Sequence, residues 1–139
     1  MQEKIERVLT FKSCDLIFAV GTQYVVEIIT NYKIRTLPVV PSFIRGIINL
    51  RGQVLPVNDL RLKMGQPFKE YTANTCIIIL KIDNYTIGLA VDGVLQVQDI
   101  DLSKAQPIPT ESQYAIASGM IGLDDGKVAL LMDGEALIS

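Results

Sequence analysis

Short apolar runs separated by turn residues set the rhythm of this chain. Residues 6–12 and 16–20 read as two β-strands around a turn at Ser13-Cys14-Asp15, with Phe18 and Val20 suiting a half-buried sheet. Residues 23–29 fit two patterns. Tyr24, Val25, Ile28 and Ile29 repeat at helical spacing behind Thr22 as a cap, yet the β-branched side chains of the run suit a strand. Residues 31–37 read as extended, and Pro38 and Pro41 bracket a loop.

The strongest local signal follows. Residues 44–50 and 53–57 read as the arms of a hairpin that turns tightly at Arg51-Gly52. Pro56 cannot donate to a ladder, so its strand is expected at a sheet edge or at a bulge. Asn58 or Asp59 then caps a short helix over 60–64, which Gly65 ends. Residues 66–74 form a polar loop with Pro67 and mark the expected subdomain boundary. Beyond it, 75–82, 85–91 and 94–100 read as strands, with Asp83-Asn84 as a turn. Residues 103–115 are a loop held open by Pro107 and Pro109. Residues 119–123 and 127–132 make a last hairpin across Asp124-Asp125-Gly126, and Asp133 caps a terminal helix over 134–138. Evenly spaced short strands with intervening turns predict an all-β barrel or sandwich, with the helices as connectors.

The two halves repeat one another. Gly46-Ile47-Ile48-Asn49-Leu50 aligns with Gly119-Met120-Ile121-Gly122-Leu123, Gly52-Gln53-Val54 with Gly126-Lys127-Val128, and Asp59 with Asp133. Upstream, Phe18-Ala19-Val20 echoes Leu89-Ala90-Val91, and Glu27-Ile28 echoes Asp99-Ile100. Apolar strands resemble each other by chance, but the ordered series strand, turn, strand, aspartate, helix in both halves favours duplication. The expected division is a first barrel over 13–70 and a second over 71–139, within one domain spanning 1–139, with the strand over 6–12 open to sharing between them. The groove between two such barrels is a natural binding place. The halves differ at their tips: Arg51 in one, Asp124 and Asp125 in the other. The aspartates fit plain turn residues, whereas Arg51 reads equally as a docking anchor or a solvated turn residue.

Composition narrows the chemistry. The chain has 139 residues, no histidine, no tryptophan, and a formal net charge of −2. Without histidine there is no Ser-His or Cys-His nucleophile, no histidine zinc site and no phosphotransfer through imidazole. Cys14 and Cys76 stand alone beside apolar strands and read as structural thiols. Basic residues form no stripe, which argues against nucleic acid. The carboxylates Asp92, Asp99, Asp101, Asp124, Asp125 and Asp133 invite an enzyme or metal reading, but they fall on turns and caps where aspartate serves the backbone. Apolar residues make up 49% of the chain and the mean hydropathy is +0.32, enough for a large core or for an apolar surface left to a partner. No apolar run approaches the roughly 20 residues that span a bilayer, and the charged N-terminus lacks signal-peptide character, so a cytoplasmic protein is expected.

The run from Ile44 to Arg61, with Gly46-Ile47-Ile48-Asn49-Leu50-Arg51-Gly52, Pro56 and Asp59-Leu60-Arg61, resembles the CheW family of chemotaxis coupling proteins. Gly88-Leu89-Ala90-Val91-Asp92-Gly93-Val94 matches that family's second recurring block, and the resemblance spans residues 6–138. It implies two tandem five-stranded SH3-like barrels with short connecting helices and a short C-terminal helix. It implies a non-enzymatic adaptor, without cofactor or metal, between the cytoplasmic tips of chemoreceptors and the regulatory domain of a chemotaxis histidine kinase. Homologous domains meeting end to end would build rings. No nucleic acid and no membrane insertion are implied. The resemblance places receptor binding on Val25, Glu27, Ile28, Gly46, Ile48, Arg51, Gly88 and Val91, with Val25, Ile28, Ile48 and Val91 as apolar anchors in the inter-barrel groove or, alternatively, as buried core. Kinase binding is expected at Pro107, Ile108, Pro109, Gly119, Ile121 and Leu123. An adaptor of a parallel chemosensory system for pili or development shares every one of these features, and a small-barrel binding module unrelated to chemotaxis is the more distant alternative.

Overall fold

The structure is a computed structural model, and it describes residues 3–108, 116–134 and Leu137. Ten strands follow in chain order: β1 (Ile5–Ser13), β2 (Leu16–Gly21), β3 (Val25–Ile29), β4 (Ile44–Leu50), β5 (Gln53–Asp59), β6 (Cys76–Ile82), β7 (Tyr85–Val91), β8 (Gly93–Asp101), β9 (Ala117–Gly122) and β10 (Val128–Met132). An α-helix, α1 (Leu60–Lys63), is a single turn, and Gly134 and Leu137 are also helical. The ambiguous stretch after Thr22 resolves into a 3-10 turn at Thr22–Tyr24 followed by β3. β-branching at Val25, Val26, Ile28 and Ile29 outweighs the helical spacing. The helix expected over 134–138 lies largely outside the described residues.

The strands form two five-stranded sheets, ordered β8-β1-β2-β10-β9 (barrel I) and β3-β6-β7-β5-β4 (barrel II). Neighbours are antiparallel except β2–β10 and β5–β7, which run parallel. Each sheet draws strands from both halves of the chain. The expected division at residue 70 therefore does not separate the barrels. The chain leaves barrel I after β2, builds β3, β4 and β5 of barrel II, completes that barrel with β6 and β7, and returns.

The duplication is exact in topology but shifted in register. Phe11 pairs with Phe18 as Leu80 pairs with Ile87, each 69 residues on. The counterpart of Phe18-Ala19-Val20 is thus Ile87-Gly88-Leu89, two residues before the sequence match. A two-residue slip keeps every side chain on its face, so alternation cannot detect it. Glu27 faces Ile79 as Gln96 faces Thr10, which makes Gln96 its counterpart in place of Asp99. Both strands carry a bulge just before that position, at Val26 and Leu95. The C-terminal hairpins align as expected. Arg35 bridges Ile47 as Gln106 bridges Met120. The Asp59 N–H donates to Phe43 O at 2.8 Å as the Asp133 N–H donates to Ile116 O at 2.7 Å.

Three apolar clusters hold the fold. Between the sheets lie Leu9, Phe11, Phe18, Val20, Leu60, Ile78, Leu80, Leu89 and Val91, with the Phe11 and Phe18 rings stacked at 5.7 Å. Ile29, Ile48, Leu50, Leu55, Val57, Ile77, Ile79 and Ala90 fill barrel II. Val8, Ala19, Ile100, Ile121 and Ala129 fill barrel I. Of the edge or bulge expected for Pro56, the edge is not found, since β5 is an interior strand, and the bulge lies on its partner β4 at Arg45. Pro56 stands opposite Ile47, whose N–H and C=O both bond Arg35 on the far side, and it precedes Val57, where pairing with β7 begins. Its missing N–H falls outside both ladders.

Candidate functional site

The β4–β5 hairpin turns through Arg51 (φ 51°) and Gly52 (φ 87°), the left-handed pair that matches strand twist in a two-residue loop. Asn49 Oδ1 accepts the Gly52 N–H at 2.8 Å and stiffens the turn. Arg51 Nη2 donates to Glu27 Oε1. Glu27 lies on β3 and Arg51 beside β4, the two edge strands of the same sheet, so this ion pair clasps the seam of barrel II. The Glu27 carboxylate, first as hydrogen-bond acceptor and then as a charge, holds the guanidinium above its ordinary pKa. Ile28, 41% exposed, follows Glu27. Val26 at 55% and Val54 at 60% add apolar surface that sequence reading did not single out. Val26 occupies the bulge of β3, and a bulge re-aims a side chain in a way that strict alternation does not reveal.

The other receptor candidates do not join this surface. Ile48 is 1% exposed inside barrel II, and Val91 is 2% exposed between the sheets. Val25 is half-buried and packs on the inter-sheet core. Of the four residues expected as groove anchors or else as buried core, Ile48 and Val91 are core, Val25 is half-buried and Ile28 is exposed, because inward-phase positions on β4 and β7 are consumed by core packing. Gly46 and Gly88 serve close approach. A Cβ at Gly46 would stand 2.2 Å from Arg35 O, and one at Gly88 would stand 2.8 Å from Ile77 Cγ2.

The kinase candidates likewise split. Pro107 is exposed, and Ile108 is half-buried against the inter-sheet core. Gly119 and Ile121 are buried, the former with Gln106 O 3.0 Å from where a Cβ would be. Ile121 fills barrel I and Leu123 packs half-buried against it. Pro109 lies outside the described residues.

The two sequence blocks meet at a junction that spacing alone could not show. Asp59 Oδ1 accepts the Leu62 N–H at 3.3 Å and caps α1, while Oδ2 accepts the Tyr71 hydroxyl at 2.7 Å. Burial, then the Asp59 carboxylate, raises the Tyr71 phenol above its ordinary pKa. Asn58, the rival cap, instead donates to Leu137 O at 2.9 Å. From α1, Arg61 donates to Asp92 Oδ2 at 2.7 Å, and the same oxygen accepts the Cys14 N–H at 3.2 Å. Arg61 thus ties the helix to the β1–β2 and β7–β8 turns. Burial pushes the Cys14 thiol up. Among the described residues no group of three or more carboxylates or thiols is placed to hold a metal ion, and no helix is long and apolar enough to cross a membrane.

Residues 7–139 match the family model for the CheW-like domain. The chain belongs to the CheW-like family. It is 32% identical to the chemotaxis protein CheW of Klebsiella aerogenes over 136 residues, covering 89% of this chain and 80% of that protein. It is 29% identical to the protein FrzA of Myxococcus xanthus over 113 residues, covering 81% and 70%. A crystal structure of the scaffolding protein TtCheW from Thermoanaerobacter tengcongensis superposes with a TM-score of 0.85 at 30% identity, covering 94% of this chain and 90% of that one. CheW-like proteins are adaptors and scaffolds, and the two SH3-like barrels seen here are their architecture.

Proposed function

We propose that this chain is a non-enzymatic cytoplasmic adaptor that couples the tips of chemoreceptors to the regulatory domain of a chemotaxis histidine kinase. The observation that carries this reading is the tip of barrel II. A rigid two-residue turn presents a permanent cation paired with Glu27, and the neighbouring strands β3 and β5 leave Val26, Ile28 and Val54 exposed. A charge set among apolar side chains suits the recognition of a helical hairpin tip, in which apolar anchors supply affinity and the charge supplies register. On barrel I, exposed Pro107 and half-buried Leu123 offer the kinase contact, and end-to-end meeting of homologous domains gives ring assembly.

The test separates docking from bracing, because Arg51 also pairs within the chain. Arg51→Glu is expected to melt at the wild-type temperature by circular dichroism, since an exposed pair contributes little to stability. It is expected to be lost from co-sedimentation with receptor-containing membranes and kinase. The swap Glu27→Arg with Arg51→Glu restores the seam pair and is expected to stay lost. Full recovery of all three components by Arg51→Glu discards the docking role. Rescue by the swap alone assigns Arg51 to bracing the barrel.

A further inference from the structure

Next to the hairpin tip, the chain leaving β3 opens a cleft of about 560 Å³ against the outer edge of β4. Arg35 and Ile47 exchange both backbone hydrogen bonds, each at 2.9 Å, in a single antiparallel bridge. Continued pairing would set Lys33 opposite Asn49, but the chain turns away, with Asn31 at φ 57°. The cleft lies in the gap. Asn49 faces Val54 across the hairpin at a position where its N–H and C=O point away from β5, and no backbone partner meets them among the described residues. Lys33 and Arg35 line the same cleft, and neither makes an ion pair among the described residues. Tyr32 and Val54 supply apolar walls, both exposed.

An unpaired strand edge, two free cations and an apolar wall in one recess are the parts of a site for an extended acidic chain. We propose that this cleft takes an extended acidic segment of a partner protein. One residue of that segment hydrogen-bonds the Asn49 backbone, its carboxylates face Lys33 and Arg35, and an apolar side chain rests on Val54. The counterpart on barrel I argues for a single such site. There Gln106 bridges Met120 and stands where Arg35 does, Gly122 stands where Asn49 does, and the recess is lined by Asp99, Asp101 and Asp124 with Lys104 as its cation. The same backbone edge in barrel I therefore carries charge that repels an acidic segment.

The cleft shares Val54 with the hairpin-tip surface, but Lys33 and Arg35 play no part in the receptor and kinase reading, so a test built on them stands or fails independently of it. The probe is a fluorescein-labelled hexapeptide alternating valine and glutamate, blocked at both ends, titrated by anisotropy into the full chain. Saturable one-to-one binding is expected, with amide shifts at Asn49 and none at Gly122 by heteronuclear NMR. The double variant Lys33→Glu with Arg35→Glu, whose melting should be unchanged, is expected to weaken binding roughly tenfold or more. Methylating the central peptide nitrogens should also weaken binding. No saturable binding at millimolar peptide, equal binding of a valine–lysine peptide, or equal binding by the double variant would overturn the proposal. Self-association of the chain that the double variant abolishes would assign the cleft to a second copy and overturn it too.

Discussion

Barrel I and barrel II share strand order, bulge position and the bonds that anchor their hairpins, yet they are finished differently. Barrel II is filled by large side chains, Ile48, Leu55, Ile77 and Ile79 among them, and its seam is clasped by Glu27 and Arg51. Barrel I holds the smaller Ala19 and Ala129 at its centre and relies on half-buried Ile17, Leu102, Leu123 and Leu131 at its rim. Where barrel II carries Lys33, Arg35 and Arg51 around its hairpin, barrel I carries Asp99, Asp101, Asp124 and Asp125. The backbone requirements of the fold have been kept in duplicate, while the charges at the tips and seams have diverged. The difference teaches where to look for partners: at positions where the two copies disagree, since the fold itself asks the same of both.

The largest expected effect lies in the layer the barrels share. Phe11→Ala removes a fully buried ring stacked on Phe18 and should cost about 3–5 kcal/mol. Because this cluster draws on both sheets, urea unfolding followed by circular dichroism should shift as one transition. A biphasic curve, with one barrel surviving, would break the idea of a common core. Next come the paired strand glycines. A methyl at Gly46 would meet Arg35 O at 2.2 Å, whereas one at Gly119 would meet Gln106 O at 3.0 Å. Gly46→Ala should therefore fall at or beyond the top of a range of about 1–3 kcal/mol, and Gly119→Ala near its bottom. Equal losses would show that the two hairpins yield alike. A smaller effect is expected for Tyr71→Phe, which leaves an oxygen of buried Asp59 without its donor, at a cost of about 1–3 kcal/mol.

Tyr71 also predicts a pH dependence. Its pKa is raised in the folded state, so the neutral phenol is favoured by folding. That contribution is complete below the ordinary tyrosine value of 10 and is lost as pH climbs above it. Melting temperatures from pH 9 upward should fall less steeply in Tyr71→Phe than in the wild type, a range that brackets the ordinary value of 10. Parallel slopes would remove Tyr71 from the account.

Much of this was legible in the order of residues. The Arg51-Gly52 turn, the Asp59 cap, the stop at Gly65 and the repeated hairpins are each set by local backbone chemistry, and each stands where spacing put it. Other features were hidden for physical reasons. A two-residue shift preserves face, so the true partners of Phe18 and Ala19 could not be told from their near neighbours. Ile48 and Ile28 look alike as letters, and only the closure of barrel II buries one and leaves the other in solvent. Arg61 and Asp92 follow the paired ends of β5 and β7, strands far apart in sequence, a contact no local pattern encodes. The cleft beside β4 arises because a chain segment stops pairing, and an interrupted ladder has no signature of its own.

The return of the chain to its starting sheet has a consequence for synthesis on the ribosome. All the strands of barrel II are complete by Val91, so its ladders can form while the rest is still being made. The β1–β2 hairpin emerges earlier but must wait for β8, β9 and β10, whose last residue is Met132. The oldest strands of the nascent protein are thus the last to find their neighbours. During that interval the apolar edge of β2 is exposed to chaperones, and to any other half-made copy nearby.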